Sequence, residues 1–214
     1  MINVQRFVCN MLQENCYVVS DETRECVIVD CGAYYDEEQE AIQRYISENQ
    51  LQPKHLLATH GHLDHNFGNA FILRTYGLHA RMAEADQGWL PAAKEQADYF
   101  QVPLREELPE ADPEPLKEDE SIRFGSHELK VIGTPGHSRG SVTLYCEAEQ
   151  LAFTGDTLFR HSIGRTDFEG GSMLQIIQSL RMFAQYPDSL VLLPGHGPQT
   201  TLGEELAHNP YMDR

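Results

Sequence analysis

The sequence predicts a layered α/β fold, two β-sheets packed face to face with helices outside, in one domain spanning residues 1–214. Three observations carry this expectation. A rhythm of short β-branched and aromatic runs followed by an amphipathic helix occurs in the first half and again in the second. A chain of 214 residues can bury a core of that kind without dividing. Residues able to do chemistry collect beside glycines at the ends of apolar runs, where a rigid scaffold holds its functional loops.

The elements follow in order. The runs INVQRFVC, CYVVS and ECVIVDCG, parted by polar turns such as SDETRE, read as a strand meander. Residues 36–49 put Ala41, Ile42, Tyr45 and Ile46 at helical spacing behind acids suited to the positive end of a helix. HLLATH is a short apolar run, and in NFGNAFILRTYG the residues Phe67, Ala70, Phe71 and Leu73 suit a helix stopped by Gly77. Residues 84–120 break the rhythm. EADQGWLPAAKEQADYF spells one or two short helices interrupted at Pro91, and REELPEADPEPLKEDE is a proline-punctuated acidic stretch, expected to be a solvated surface connection. The sharper expectation for this segment is a lid, with Trp89, Tyr99 and Phe100 available to cover a pocket. The rhythm then resumes with SIRFG, HELKVIGT and SVTLYCEAEQLAFTG as strands, a helix from Ser172 with an apolar stripe of Leu174, Ile176, Ile177, Leu180 and Phe183, and LVLLPGHG as a last strand.

Composition narrows the function classes. A formal charge of −17 opposes nucleic acid and anionic membrane as partners, leaving a small-molecule substrate as the expected one. The N-terminal stretch has no signal-peptide core and no window is apolar enough for a span, so a cytoplasmic protein is expected, either monomer or homodimer. Cys9, Cys16, Cys26, Cys31 and Cys146 are odd in number without C-x-x-C pairing, which points to reduced thiols.

The stretch THGHLDH, residues 59–65, places His60, His62, Asp64 and His65 in one loop. Two histidines one residue apart can address one ion when the backbone between them is extended, whereas Asp64 and His65 would address a neighbouring position. One loop cannot complete two coordination spheres. The same strand-end, glycine-flanked context recurs at His137 in TPGHSRGS, Asp156 in FTGDTLF and His196 in LLPGHGP. His55, His79, His127, His161 and His208 lack that context and are expected to have ordinary roles.

The order THGHLDH, PGHS, GDTLF, PGHG resembles the metallo-β-lactamase-fold hydrolases over essentially the whole chain. The resemblance implies a four-layer αββα sandwich with the site at the edge between the sheets. His62 stands where flavodiiron reductases carry a carboxylate, and Asp156 stands where class B lactamases commonly carry cysteine. The endings IGRTDFEGGS and LPGHGPQTTLGEELAHNPYM are similar to the small glyoxalase II-like (hydroxyacylglutathione hydrolase-like) branch. That branch implies two divalent metal ions, most simply zinc although iron or manganese suits the same donors. His60, His62 and His137 would hold the first ion and Asp64, His65 and His196 the second, with Asp156 bridging. It also implies catalytic duties for Asp64 and Asp156, which would orient a metal-bridging hydroxide toward a thioester such as S-lactoylglutathione. Arg165, in GRTDF, falls where the family contacts glutathione. Thr59, Ser138 and Thr157 are candidates to orient the ligands.

Two alternatives stand beside this. Persulfide dioxygenases, with one iron on two histidines and an aspartate, would use His60, His137 and Asp156 alone, and GRTDF is similar to them too. A non-catalytic metal-binding module is the other, although closed structural zinc sites need four ligands rather than seven. The chain stops shortly after NPYM, without the helical C-terminal domain that supplies glutathione contacts in full-length glyoxalase II, so a different thiol carrier is also an expectation.

Overall fold

The computed structural model describes residues 1–212. The first sheet has the order β1 (Asn3–Cys9), β2 (Glu14–Ser20), β3 (Glu25–Val29), β4 (Gln52–Leu57) and β5 (Ala80–Arg81). β1 to β3 form the expected antiparallel meander. β4 and β5 then join in parallel, each after a helix: α1 (Asp36–Glu48) precedes β4 and α2 (Asn69–Tyr76) precedes β5. Gly77, at φ +72°, ends α2 in the left-handed conformation that glycine adopts without a Cβ penalty.

After the helix α3 (Ala93–Phe100) the chain builds a second sheet from β6 (Ser121–Phe124), β7 (His127–Gly133), β8 (Val142–Cys146) and β9 (Leu151–Gly155). The hairpin β10 (Leu158–Phe159) and β11 (Ser162–Ile163) stands apart, and α4 (Met173–Phe183) leads back to β12 (Val191–Pro194) and β13 (Thr200–Thr201). The order is β13-β12-β9-β8-β7-β6, with β12 parallel to β9 and the other neighbours antiparallel. α5 (Leu202–His208) closes the described chain.

The period-two alternation of the strands sorts the core into layers. In β2 and β3, Tyr17, Val19, Val27 and Val29 face the second sheet, where they meet Phe124, Leu129, Val131, Leu144 and Phe153. The intervening Val18 and Ile28 face outward onto Ile42, Ile46, Phe71 and Ile72 of α1 and α2. The second sheet repeats the scheme, Ala152 and Leu192 packing outward onto Leu180, Phe183, Leu202 and Leu206 of α4 and α5. The molecule is thus the four-layer αββα sandwich that the sequence predicts, and its inner strands read as continuous apolar runs because both faces are covered.

The segment 84–120 departs from a purely solvated connection. A 3₁₀ turn, Glu84–Trp89, precedes α3, and Leu90, Ala93 and Ala97 are buried. The acidic stretch beyond it runs along the edge of the first sheet, donating Asp112 and Leu116 N–H groups to the carbonyls of Ala80 and Met82 at 2.9 and 3.0 Å. An otherwise open sheet edge is thereby satisfied.

Candidate metal centre

Strands β7, β9 and β12 run in one direction, so their carboxyl ends share one rim of the second sheet, and β4 of the first sheet ends at the same place. The four loops that leave these ends carry the seven residues marked out in the sequence. His60, His62, Asp64 and His65 follow β4, His137 follows β7, Asp156 follows β9 and His196 follows β12. Glycine is required where the backbones converge. At Gly155, φ +48°, a Cβ would press into the Thr59 hydroxyl, and at Gly136, φ +139°, into the backbone of Ile176.

The donor atoms converge as two overlapping groups. Those of His60, His62 and His137 lie within 4.8 Å of one another, as do those of Asp64, His65 and His196. His62 Nδ1 is 2.8 Å from His137 Nε2, and His196 Nε2 is 3.1 Å from Asp64 Oδ2. Asp156 reaches both groups: its Oδ2 is 3.5 Å from His137 Nε2 and its Oδ1 is 3.3 Å from His65 Nε2. Ligands about 2.0–2.2 Å from a tetrahedral ion lie a little over 3 Å apart, so these spacings suit cation coordination.

The hydrogen bonds behind the ligands fix which nitrogen faces inward. The Thr59 hydroxyl donates to Asp30 Oδ2 at 2.8 Å, leaving its oxygen to accept from His60 Nδ1 at 3.1 Å. His65 Nδ1 donates to Asp30 at 3.0 Å, His137 Nδ1 to the Arg165 carbonyl at 2.8 Å and His196 Nδ1 to the Leu12 carbonyl at 3.1 Å. Each of these four imidazoles presents Nε2 to the centre, while His62 presents Nδ1. The inward-facing Nε2 atoms of His60 and His65 and Oδ1 of Asp156 are buried with no hydrogen-bond partner. Burial of unpaired acceptors is costly, and a cation shared among them relieves that cost, so the residues fit a divalent metal pair. Burial also lowers His62 to about 4 and, aided by His65 and His137, lowers His60 well below the ordinary imidazole range, leaving both in the neutral form that ligates. Burial alone would raise Asp156, but the His65 charge outweighs it and holds the carboxyl well down.

Three polar residues that complete the centre were not foreseen from the sequence. Asp30 also accepts the Thr59 N–H at 2.7 Å, and its place in VIVDCG, a strand end two residues before a glycine, carries a signal close to that of the ligands. Asn66 donates to the carbonyls of His62 and His60 at 2.7 and 3.2 Å, holding the ligand loop in shape. Asp86, fully buried, accepts the Gly61 N–H at 3.0 Å, the Gly140 N–H at 2.7 Å and the Ser138 hydroxyl at 2.6 Å, and so ties the loop of His60 and His62 to that of His137. Ser138 therefore acts through Asp86, while Thr157 donates to Thr134 and has no contact with a ligand side chain among its hydrogen bonds. The histidines set aside earlier have other partners: His127 lies between Asp21 and Glu149, and His161 and His208 both meet Glu204 at the surface.

Above the centre lies a cavity of about 500 Å³. Its walls include His62, Asp64, His137, Asp156 and His196 together with Leu12, Leu63, Phe67, Phe100, Val102, Phe159 and Phe168. Phe100 and Val102 come from the 84–120 segment, and Trp89 packs its ring 5.2 Å from that of His62. Arg165 also lines the cavity, with its guanidinium donating to both Asp167 carboxylate oxygens, at 2.7 and 2.8 Å, and lying 3.4 Å from the centre of the Phe168 ring.

Fold and site define a class. Residues 9–196 match the family model of the metallo-beta-lactamase superfamily, and the chain belongs to that superfamily. Among curated proteins it is 32% identical to hydroxyacylglutathione hydrolase GloC of Haemophilus influenzae, over 99% of each chain. Among solved structures it resembles BLEG-1 B3 metallo-beta-lactamase, with a TM-score of 0.87, 31% identity and full coverage of both chains. It also resembles TTHA1623 in a di-iron-bound form, with a TM-score of 0.85 and 31% identity over 98% of this chain and 100% of that one. The protein is a metal-dependent hydrolase of the superfamily with glyoxalase II-like homologues. No helix among the described residues is long and apolar enough to cross a membrane, and all five cysteines are free and buried.

Proposed function

We propose that the protein is a dinuclear thioester hydrolase acting on S-lactoylglutathione or a related small-molecule thioester. The observation that carries this is the position of Asp156, whose two carboxylate oxygens lie within 3.5 Å of ligands from both donor groups. His60, His62 and His137 would hold one ion and Asp64, His65 and His196 the other, most simply zinc. Bound there, the pair supplies a water activated near neutral pH and Lewis acidity for the substrate carbonyl.

The chain's own residues do the rest. Asp30 keeps the His65 ring oriented, Asp86 holds the two ligand loops in register, and Asp64 and Asp156 offer the acceptors that orient the attacking water. The apolar wall keeps bulk solvent from the reacting carbonyl. In the net reaction water adds to the thioester carbonyl, the carbon–sulfur bond breaks, and the acid and the free thiol leave. A thiolate departs without a protonated general acid, which agrees with a cavity whose titratable groups are all donors to the centre apart from Arg165. The GloC relative, a hydroxyacylglutathione hydrolase by name, supports this chemistry, and the di-iron-bound neighbour supports two ions.

The test combines elemental analysis with thiol release from a panel of thioesters that includes S-lactoylglutathione. About two ions per chain with thiol release is the expected outcome. One iron per chain, no thiol release, and oxygen uptake with glutathione persulfide would replace the hydrolase by a mononuclear dioxygenase. His60→Ala or Asp156→Ala with undiminished metal content and turnover would remove the assignment of the centre.

A further inference from the structure

We infer that the cavity selects thioesters with an apolar acyl group and an uncharged thiol half over glutathione thioesters, an inference that rests on the hydrolase function proposed above. Seven apolar side chains line the cavity, and the metal-facing residues occupy its floor. The roof is aromatic and continuous. Phe168 meets Phe100 at 5.4 Å and Tyr99 at 5.9 Å between ring centres, so the loop after β11 closes against the end of α3, and Phe168 also reaches to 6.1 Å from the ring of His62.

Charge is the deciding feature. Glutathione brings two carboxylates and an ammonium, and each needs a partner once it leaves water. Among the described residues Arg165 is the cavity's only lysine or arginine, and Asp167 already engages it through two hydrogen bonds in a half-exposed ion pair while Phe168 covers one face of its guanidinium. A substrate carboxylate approaching Arg165 would have to share it with Asp167 or displace it. Arg139 lines a different cleft beside Trp89, together with Glu169. With a formal charge of −17, the chain offers no general attraction to an anionic thiol carrier either. Apolar walls stabilise a substrate in proportion to the apolar area they cover, and an uncharged acyl chain or aromatic acyl group covers it without leaving a charge unpaired.

The experiment uses the metal-loaded protein and two readouts. In the first, kcat/KM is measured for hexanoyl-N-acetylcysteamine and for S-lactoylglutathione. In the second, calorimetry measures binding of two uncleavable thioethers, S-hexyl-N-acetylcysteamine and S-hexylglutathione, which share the apolar arm and differ in the charged half. The neutral member of each pair is expected to be favoured by about tenfold or more, the scale of one unpaired charge that is still partly hydrated. Asp167→Asn frees Arg165 and is expected to improve S-hexylglutathione binding by about fivefold while changing that of the neutral thioether by less than about twofold. Phe168→Ala is expected to weaken the neutral thioether by about tenfold. Preference for the glutathione member of each pair, or an Asp167→Asn variant that alters neither affinity, overturns the inference and leaves the hydrolase standing. A loaded protein that cleaves neither thioester yet binds the neutral thioether more tightly overturns the hydrolase and leaves the selectivity of the cavity standing.

Discussion

Asp86→Ala is the sharpest test of how the centre is built, because Asp86 touches no donor atom of the metal groups and yet joins their two loops. Its carboxylate accepts three hydrogen bonds, from the Gly61 N–H, the Gly140 N–H and the Ser138 hydroxyl, in a site with no solvent exposure. Alanine leaves all three donors without that acceptor. At about 1–3 kcal/mol for each buried donor left unsatisfied, and with part of the cost recovered where Ser138 keeps its bond to Ser141, the loss of stability should be about 3–5 kcal/mol. Asp86→Asn is a graded control. Its carbonyl can keep the Gly61 and Ser138 bonds made by Oδ2, but its amide opposes the Gly140 N–H, so about 1.5–3 kcal/mol should be lost. Urea unfolding of the metal-free protein reads these values. Competition with a chromophoric chelator reads the second consequence, a loss of about 10–100-fold in affinity for the ion that His60, His62 and His137 would hold, as for other residues that orient ligands. If Asp86→Ala unfolded at the wild-type urea concentration and bound metal as tightly, the two loops would have to be held by something other than this carboxylate.

Gly164→Ala should abolish metal binding and turnover together, since its Cβ would fall inside the contact radius of the Asp156 backbone carbonyl and press on the His137 ring; metal stoichiometry and thiol release check it. Phe153→Ala, at the centre of the layer between the sheets, should cost about 3–5 kcal/mol in urea unfolding without changing metal stoichiometry. The cluster of Asp21, His127 and Glu149 should give stability a pH window. The hydrogen bond to Asp21 raises His127 above its ordinary 6.5, so its contribution is complete below pH 6.5 and is lost as pH rises through the raised value. Asp21 is depressed below its ordinary 3.8 because hydrogen bonds from Thr23 and His127 outweigh burial, which acts to raise it, so its contribution holds above pH 3.8 and is lost on acidification. The difference in unfolding free energy between wild type and His127→Gln should therefore be greatest between those limits and shrink above pH 6.5; a difference that is flat with pH would exclude the ion pair as its source.

The ligands were legible because they advertise themselves locally: His60, His62, His137, Asp156 and His196 follow apolar runs with glycine beside them, and Asp64 and His65 crowd into the same THGHLDH stretch. The layers were legible for a related reason, since strands covered on both faces cannot hide polar residues and so stand out as apolar runs. Residues that act across the fold leave no such mark. Asp86 sits in a stretch read as one or two short helices, and nothing periodic announces a carboxylate whose partners are backbone N–H groups of residues 61 and 140. α5 carries a short local signature, Thr201 accepting from the Glu204 N–H in a T-x-x-E capping pattern, but its seven residues are too few for an apolar periodicity to stand out. Arg165 shows the converse limit. Its place on the cavity wall could be anticipated from GRTDF, but its engagement by Asp167 and Phe168 is a matter of conformation.

The spans bridged by the donor groups carry a mechanical consequence. Asp64 and His196 are separated by 132 residues of chain, and His62 and His137 by 75. An ion held by the first pair is a removable staple across most of the molecule, and a cross-link of that span withdraws on the order of 5 kcal/mol of freedom from the unfolded chain. Ions bound for turnover would therefore serve as tethers too. Resistance to unfolding and to proteolysis should rise and fall with the concentration of free metal, even in a variant that has lost every trace of hydrolysis.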